Sequence, residues 1–186
     1  MELSDIDLVT LAKAAQQSVA FEALVKRHQA PLRAFLIRLT GDAAHADDLA
    51  QEAFLKAFRG LDGFRGGASF RSWLFSIAMR EAAMARRKDA ARNRLAAKAV
   101  DDTDSASPAE FSIDLQRALE TLTAEERAAA LLCDAAGFSH AEAANAMAAP
   151  LGTVKTLVAR AREKLRAAMT TGRDDDENAA RDAACG

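Results

Sequence analysis

Residues 139–165 read SHAEAANAMAAPLGTVKTLVARAREKL. Ser139 followed three positions later by Glu142 is a capping box: each side chain satisfies a free backbone N–H of the other at the start of a helix. Ala143, Ala144 and Met147 continue at helical spacing, and Ala149-Pro150-Leu151-Gly152 then breaks the pattern. Beyond the break, Val154, Leu157, Val158, Ala161 and Leu165 recur at steps of three and four, which predicts a second helix with one apolar stripe. A short helix, a tight turn and a helix studded with cations is the plan of a helix-turn-helix, whose second helix enters a DNA major groove N-terminus first. Thr153, Lys155 and Thr156 sit near that end, with Arg160 a turn later and Arg162 beyond it. Lysine and arginine donate to guanine edges and to phosphates, and threonine can do either. A plain helical hairpin with a basic surface has the same spacing, so the pattern leaves both readings open.

Working outward, Thr123-Ala124-Glu125-Glu126 is a second capping box, opening a helix through Leu131 and Leu132 that stops at Gly137. Leu115, Ala118, Leu119 and Leu122 predict one more helix before it. Nearer the N-terminus, Leu8, Leu11, Ala12 and Ala15 form one helical stripe, and Phe21, Leu24, Val25 and His28 form another. The second continues past Pro31 through Leu32, Phe35, Leu36 and Leu39 to a stop at Gly41-Asp42. Leu49, Ala53 and Ala57 predict a helix over 46–58, with Phe54 and Phe58 beside the stripe. Gly63, Gly66 and Gly67 mark a loop over 60–69, and Trp73, Leu74, Ile77 and Ala78 face inward on a helix over 70–88. Between the two helical blocks, KAVDDTDSASP at 98–108 is polar, acidic and weakly periodic, and reads as a flexible linker. The expected architecture is all-α: a helical domain at 1–95, a linker at 96–110, a helix-turn-helix domain at 111–171 and an acidic, disordered tail at 172–186.

Composition narrows the classes. The 186 residues carry 25 Lys+Arg against 27 Asp+Glu, a net charge of −2. The apolar content is alanine-rich, with nine Phe, one Trp and no Tyr, which favours helices over sheets. Two cysteines, Cys133 and Cys185, do not make a disulfide scaffold. No run of about 18 apolar residues suggests a membrane span, and the acidic start MELSDIDLVT is unlike a signal peptide, so the expected location is the cytoplasm. His28, His45 and His140 lack metal-ligand spacing, and no cofactor is expected. Paired carboxylates, a nucleophile–base set and a phosphate loop are all missing, which argues against an enzyme. The near-neutral total hides two basic stretches. Residues 80–94 carry Arg80, Arg86, Arg87, Lys88, Arg92 and Arg94 against Glu81 and Asp89, and residues 153–172 carry five cations against Glu163. Two basic segments divided by an acidic one suggest two contacts with a polyanion, though two solvated helix faces would look alike.

The motifs resemble a family. Leu151-Gly152-Thr153-Val154-Lys155-Thr156, followed by Arg160-Ala161-Arg162-Glu163-Lys164-Leu165, is similar to the region-4 signature of extracytoplasmic-function sigma factors, of the sigma-70 superfamily. Asp47-Asp48-Leu49-Ala50-Gln51-Glu52-Ala53-Phe54-Leu55-Lys56-Ala57 resembles the helix by which that family binds core RNA polymerase. Phe70-Arg71-Ser72-Trp73-Leu74-Phe75-Ser76-Ile77-Ala78 resembles its promoter-melting segment. The resemblance covers roughly residues 5–170. It departs from the family pattern at Met79, Arg80 and Met84, and at Leu157 and Ala159, which implies a promoter preference unlike the commonest one.

The resemblance implies an alternative sigma factor, stress-responsive and controlled by an anti-sigma factor, that lends specificity to the polymerase without bond chemistry of its own. Asp47, Asp48, Gln51, Glu52 and Leu55 would bind the core, whose β′ coiled coil and β flap are the implied surfaces. The loop 62–69 would hold an unpaired minus-ten base, with Phe64 and Arg65 as contacts, beside Trp73. Arg71, Arg80, Arg86 and Arg87 would steer phosphates. Thr153, Lys155, Thr156, Arg160 and Arg162 would read the minus-thirty-five duplex. A stand-alone helix-turn-helix regulator, or a mimic that occupies an anti-sigma factor, are the alternatives.

Overall fold

The computed structural model describes residues 3–15, 18–96 and 113–183. Among them there is no strand, and no helix is long and apolar enough to cross a membrane. Eight helices follow in order: α1 Asp5–Ala15, α2 Ser18–Thr40, α3 Ala43–Arg59, α4 Phe70–Ala96, α5 Ile113–Glu120, α6 Ala124–Ala130, α7 His140–Met147 and α8 Leu151–Ala183. They form two helical domains, α1–α4 and α5–α8.

Local chemistry sets the boundaries. Gly41, at φ +77°, lets the chain leave α2, and the Asp42 carboxylate then caps α3 by accepting the His45 N–H at 3.0 Å. Both capping boxes form as the sequence predicts. Thr123 and Glu126 exchange bonds at the start of α6, and Ser139 and Glu142 do so at the start of α7. Helix α6 runs on as one wide π-type turn, Leu131–Ala135, before Gly137 at φ +69° ends it. Helix α7 ends on Ala148 with φ 50°, a left-handed conformation in which a side chain crowds the backbone. The turn of the helix-turn-helix is therefore held by its surroundings rather than by a glycine.

Helix α4 carries the centre of the first domain. Phe70, Leu74, Phe75 and Ala78 are fully buried and meet Leu24, Leu32, Phe35 and Leu36 of α2 and Ala46, Ala53 and Ala57 of α3. In the second domain, Val154, Val158 and Ala161 of α8 close over Leu132, Ala129 and Ala143. Val9 completes the buried face of α1 with Leu8 and Ala12, whereas Leu11, expected on that stripe, is exposed.

Two expectations need adjustment. Residues 172–183, expected as a disordered tail, continue α8 to Ala183. The segment lacks proline, and extending an existing helix is far easier than nucleating one. The last three residues, Cys185 among them, and residues 97–110 of the linker lie outside the described residues. Finally, the two domains are packed together rather than merely tethered. The Phe138 ring stands 4.9 Å from that of Phe75, and α4 lies along α7. Arg127 reaches from α6 to the Leu39 carbonyl at 3.5 Å, and its burial lowers its pKa from the ordinary arginine value.

Candidate nucleic-acid and polymerase interfaces

Helices α2 and α3 lie side by side and leave an open, largely apolar groove of about 620 Å³. One wall is the ladder Phe21, Val25, Gln29 and Arg33 on α2. The other comes from α3, where Asp47, Gln51 and Leu55, and Ala50, Phe54 and Phe58, form two rows at steps of four. Such rows lie one above the other on a helix. Leu55 and Phe58 are exposed, at 42% and 46%. Of the residues expected to bind polymerase, the groove gathers Asp47, Gln51 and Leu55 but not Asp48 or Glu52, which lie outside it. Arg33 grips Asp47 with two bonds, at 2.6 and 3.3 Å, so one acidic group at the rim is already paired. Glu52 sits beside Lys56, whose ammonium also meets Glu81 of α4 at 2.5 Å; that bond raises the lysine pKa. Of the α2 wall, the sequence placed Phe21 and Val25 on a core stripe and did not mark Gln29 or Arg33, although 21, 25, 29 and 33 repeat at helical spacing.

The glycine loop encloses a second cavity, of about 180 Å³, lined by residues 63–68, by Ser72, Trp73 and Ser76 of α4, and by Asn145 of α7. Its residues play unequal parts. Arg65 is exposed. Phe64 is buried: its ring packs 5.2 Å from Trp73 and 6.1 Å from Phe70. Phe64 therefore supports the cavity from the core side, and half-buried Trp73 is the less covered of the two aromatic rings that line it. Arg71, expected to steer phosphate, instead faces the second domain. Its guanidinium stands 4.4 Å from the Phe138 ring centroid and donates to the Ala136 carbonyl. Arg80, Arg86 and Arg87 are exposed along α4 and line a broad cleft of about 930 Å³ between the domains. Thr153 and Leu157 of α8 line the opposite side.

On α8, Thr153, Lys155, Thr156 and Arg160 are all exposed on the side away from Val154 and Val158. The Thr156 hydroxyl donates back to the Gly152 carbonyl at 3.0 Å. Arg162 does not share their freedom. It forks onto both carboxylate oxygens of Asp134, at 3.1 and 2.5 Å, which raises its pKa. Lys164 bonds Glu126 at 2.6 Å, lowering the pKa of that carboxyl, which the Thr123 cap lowers further. These two cations tie α8 to the helix behind it and hold it at a fixed angle. The basic stretch on α8 thus divides into cations turned outward and cations that hold the fold.

Comparison with known proteins places the chain. Residues 24–92 match the family model Sigma-70 region 2, and residues 112–165 match Sigma-70, region 4. The chain belongs to the sigma-70 family. Within it, relatives named as extracytoplasmic-function factors match over most of the chain, and this chain is an alternative sigma factor of that group. It is 37% identical to the ECF RNA polymerase sigma factor SigM of Mycobacterium tuberculosis, covering 88% of this chain and 84% of that one. It is 32% identical to the ECF RNA polymerase sigma-E factor of Escherichia coli, over 88% of this chain and 93% of the relative. Among solved structures, the sigma factor RpoE of Bartonella quintana in complex with the anti-sigma factor NepR superposes with a TM-score of 0.72 at 30% identity, covering 81% of this chain and 96% of that one. CnrH in complex with the cytosolic domain of CnrY gives 0.68 at 26% identity, covering 90% and 97%.

Proposed function

We propose that this chain acts in the cytoplasm, gripping core RNA polymerase through the α2–α3 groove. The loop 62–69 captures an unpaired minus-ten base, and the exposed start of α8 reads the minus-thirty-five duplex. The observation that carries the reading is the groove. An amphipathic helix binds by laying an apolar face into such a trough, with anchors at three- and four-residue steps. The walls here repeat at that spacing, and the rim carries Gln29, Arg33, Asp47 and Gln51 to set the register. A helical arm of the polymerase, as the β′ coiled coil is in the family, fits this description, and the β flap is left for the second domain. The two DNA-facing surfaces supply complementary chemistry. A flipped base is held by a snug pocket and stacking, and a duplex by cations and hydroxyls at a helix start. Because the sigma factor RpoE of Bartonella quintana is solved in complex with the anti-sigma factor NepR, an anti-sigma partner is the regulator proposed here as well.

Retention of bacterial core polymerase by the tagged full chain tests the reading. Leu55→Asp places a charge in the groove at an exposed position, so the fold is kept while retention is lost. Promoter-dependent transcripts from genomic fragments with the reconstituted holoenzyme are expected. Unchanged retention by Leu55→Asp would overturn the assignment of the groove.

A further inference from the structure

Helix α1 precedes the region-2 match, which begins at residue 24, yet it is bound firmly into the domain. Leu8, Val9 and Ala12 are buried. At its first turn, the Asp5 carboxylate takes a bond from Arg27 at 2.6 Å and pairs with the His28 ring at 2.8 Å. Arg27 also donates to the Leu3 carbonyl at 2.9 Å. At its last turn, the Lys13 ammonium donates to the Phe64 carbonyl at 2.6 Å and to the Asp62 carbonyl at 3.3 Å. Both acceptors belong to the loop that walls the small cavity. Among the described residues, these are the only side-chain hydrogen bonds made to residues 61–68.

The loop needs such a hold. Gly63, Gly66 and Gly67 stand in open space, with nothing near where a side chain would begin, and Gly66 has φ +72°. Three glycines give the free loop many conformations, and a pocket that captures a base must select one of them beforehand. Buried Leu61 and Phe64 fix the loop's near side. Lys13 fixes the peptide planes between them and the glycines, and a charged donor makes a stronger bond to a carbonyl than a neutral one does.

We propose that Lys13 is a positioning residue for minus-ten capture: from outside region 2, it holds the loop in the shape that accepts the base without touching the DNA. This inference rests on reading the 62–69 loop as the base pocket. The test uses holoenzyme assembled from core polymerase and the full chain. The probe is a fluorescein-labelled single strand carrying the non-template minus-ten sequence that wild-type holoenzyme enriches from a random-sequence promoter library. Lys13→Met is expected to weaken binding about tenfold, the low end of the scale for a lost charge-assisted hydrogen bond, as suits a donor in contact with solvent. Its discrimination against a substituted base should fall as well, while thermal stability and core retention stay at wild-type levels. The dependence of binding on salt should also be unchanged, because a residue that does not touch phosphate releases no counterion. Lys13→Arg, which keeps the donors, should recover most of the affinity. Binding by Lys13→Met equal to wild type overturns the inference alone. A fall in the salt slope of about 0.7 would make Lys13 a phosphate contact and overturn it too. Failure of the wild-type holoenzyme to prefer its own selected strand overturns the pocket reading, and the inference with it.

Discussion

Replacing Arg71 should loosen the two domains from each other. The guanidinium lies on the Phe138 ring at 4.4 Å from its centroid, stands 5.6 Å from that of Phe75, and donates to the Ala136 carbonyl. A cation–π contact contributes about 0.5–2 kcal/mol, and a hydrogen bond from a charged donor about 1.5–3 kcal/mol. Arg71 is only half-buried, so solvent screening argues for the low end of each range, about 2 kcal/mol together. At about 1.4 kcal/mol per factor of ten, Arg71→Met shifts the ratio of closed to open molecules roughly thirtyfold. Methionine keeps much of the apolar stem, so the loss is confined to charge and donors. Arg71→Lys should fall between, because it keeps the charge without the planar fork. Single-molecule energy transfer would measure the shift, with dyes on Arg59→Cys and Glu163→Cys, both exposed positions, in a chain whose native cysteines are replaced. Dwell times in the high-transfer state, divided by those in the low-transfer state, give the ratio directly. A ratio within twofold of wild type in a chain of unchanged melting temperature would refute the argument that Arg71 latches the domains.

Removing the outward cation in Arg160→Ala should lower the slope of log affinity against log salt for duplex minus-thirty-five DNA by about 0.9 if it meets one phosphate, read from binding isotherms at several salt concentrations. Arg162→Ala should change that slope little, and should instead lower the melting temperature of the second domain. Ser139→Ala removes the cap of α7 and should cost about 1 kcal/mol in urea denaturation, with Ser139→Asp restoring most of it. Burial holds the pKa of His28 below the ordinary imidazole value, against the opposing pull of Asp5. The unfolded chain therefore binds the proton first as pH falls. Stability due to His28 is complete above about pH 6.5 and declines on acidification toward the lower folded pKa, so the gap between wild type and His28→Gln should change across that window.

The two capping boxes, the inward face of α4 and the turn at Gly41-Asp42 were legible because each rests on interactions within a few residues, which spacing records. Stripes such as Leu49, Ala53 and Ala57 were legible for the same reason. Residues whose partners lie far away along the chain were not. Arg71 and Arg162 have the composition of phosphate contacts, and their partners, Phe138 with the Ala136 carbonyl and Asp134, lie 65 and 28 positions away along the chain. Phe64 was read as a base contact because it stands in a glycine loop. Loops also need buried anchors, and only the approach of Phe70 and Trp73 shows which kind it is. The α2 wall of the groove carried a signal, the ladder at 21, 25, 29 and 33, but its first two members also fitted the core stripe, which accounted for them without a second role.

The surfaces also differ in what the closed arrangement covers. Every residue lining the α2–α3 groove comes from the first domain. The base cavity, by contrast, takes Asn145 from the second domain, and the cleft that holds Arg80, Arg86 and Arg87 is shared with Thr153 and Leu157. On the assignments proposed above, a polymerase helix could approach the closed chain freely, whereas DNA would meet a base cavity and a Thr153 end of α8 that the facing domain partly covers. The affinity of any ligand that requires an open form is reduced by the fraction of molecules in that form. Arg71→Met should therefore leave core retention as in wild type, because the groove is open in both states. It should strengthen binding of duplex minus-thirty-five DNA by the free chain, because that contact uses α8 and not Arg71, with a ceiling near the thirtyfold shift in the domain equilibrium. Equal tightening of both ligands would show that the groove, too, is gated by the second domain. Tightening of neither would show that the closed form costs the free chain nothing in DNA binding.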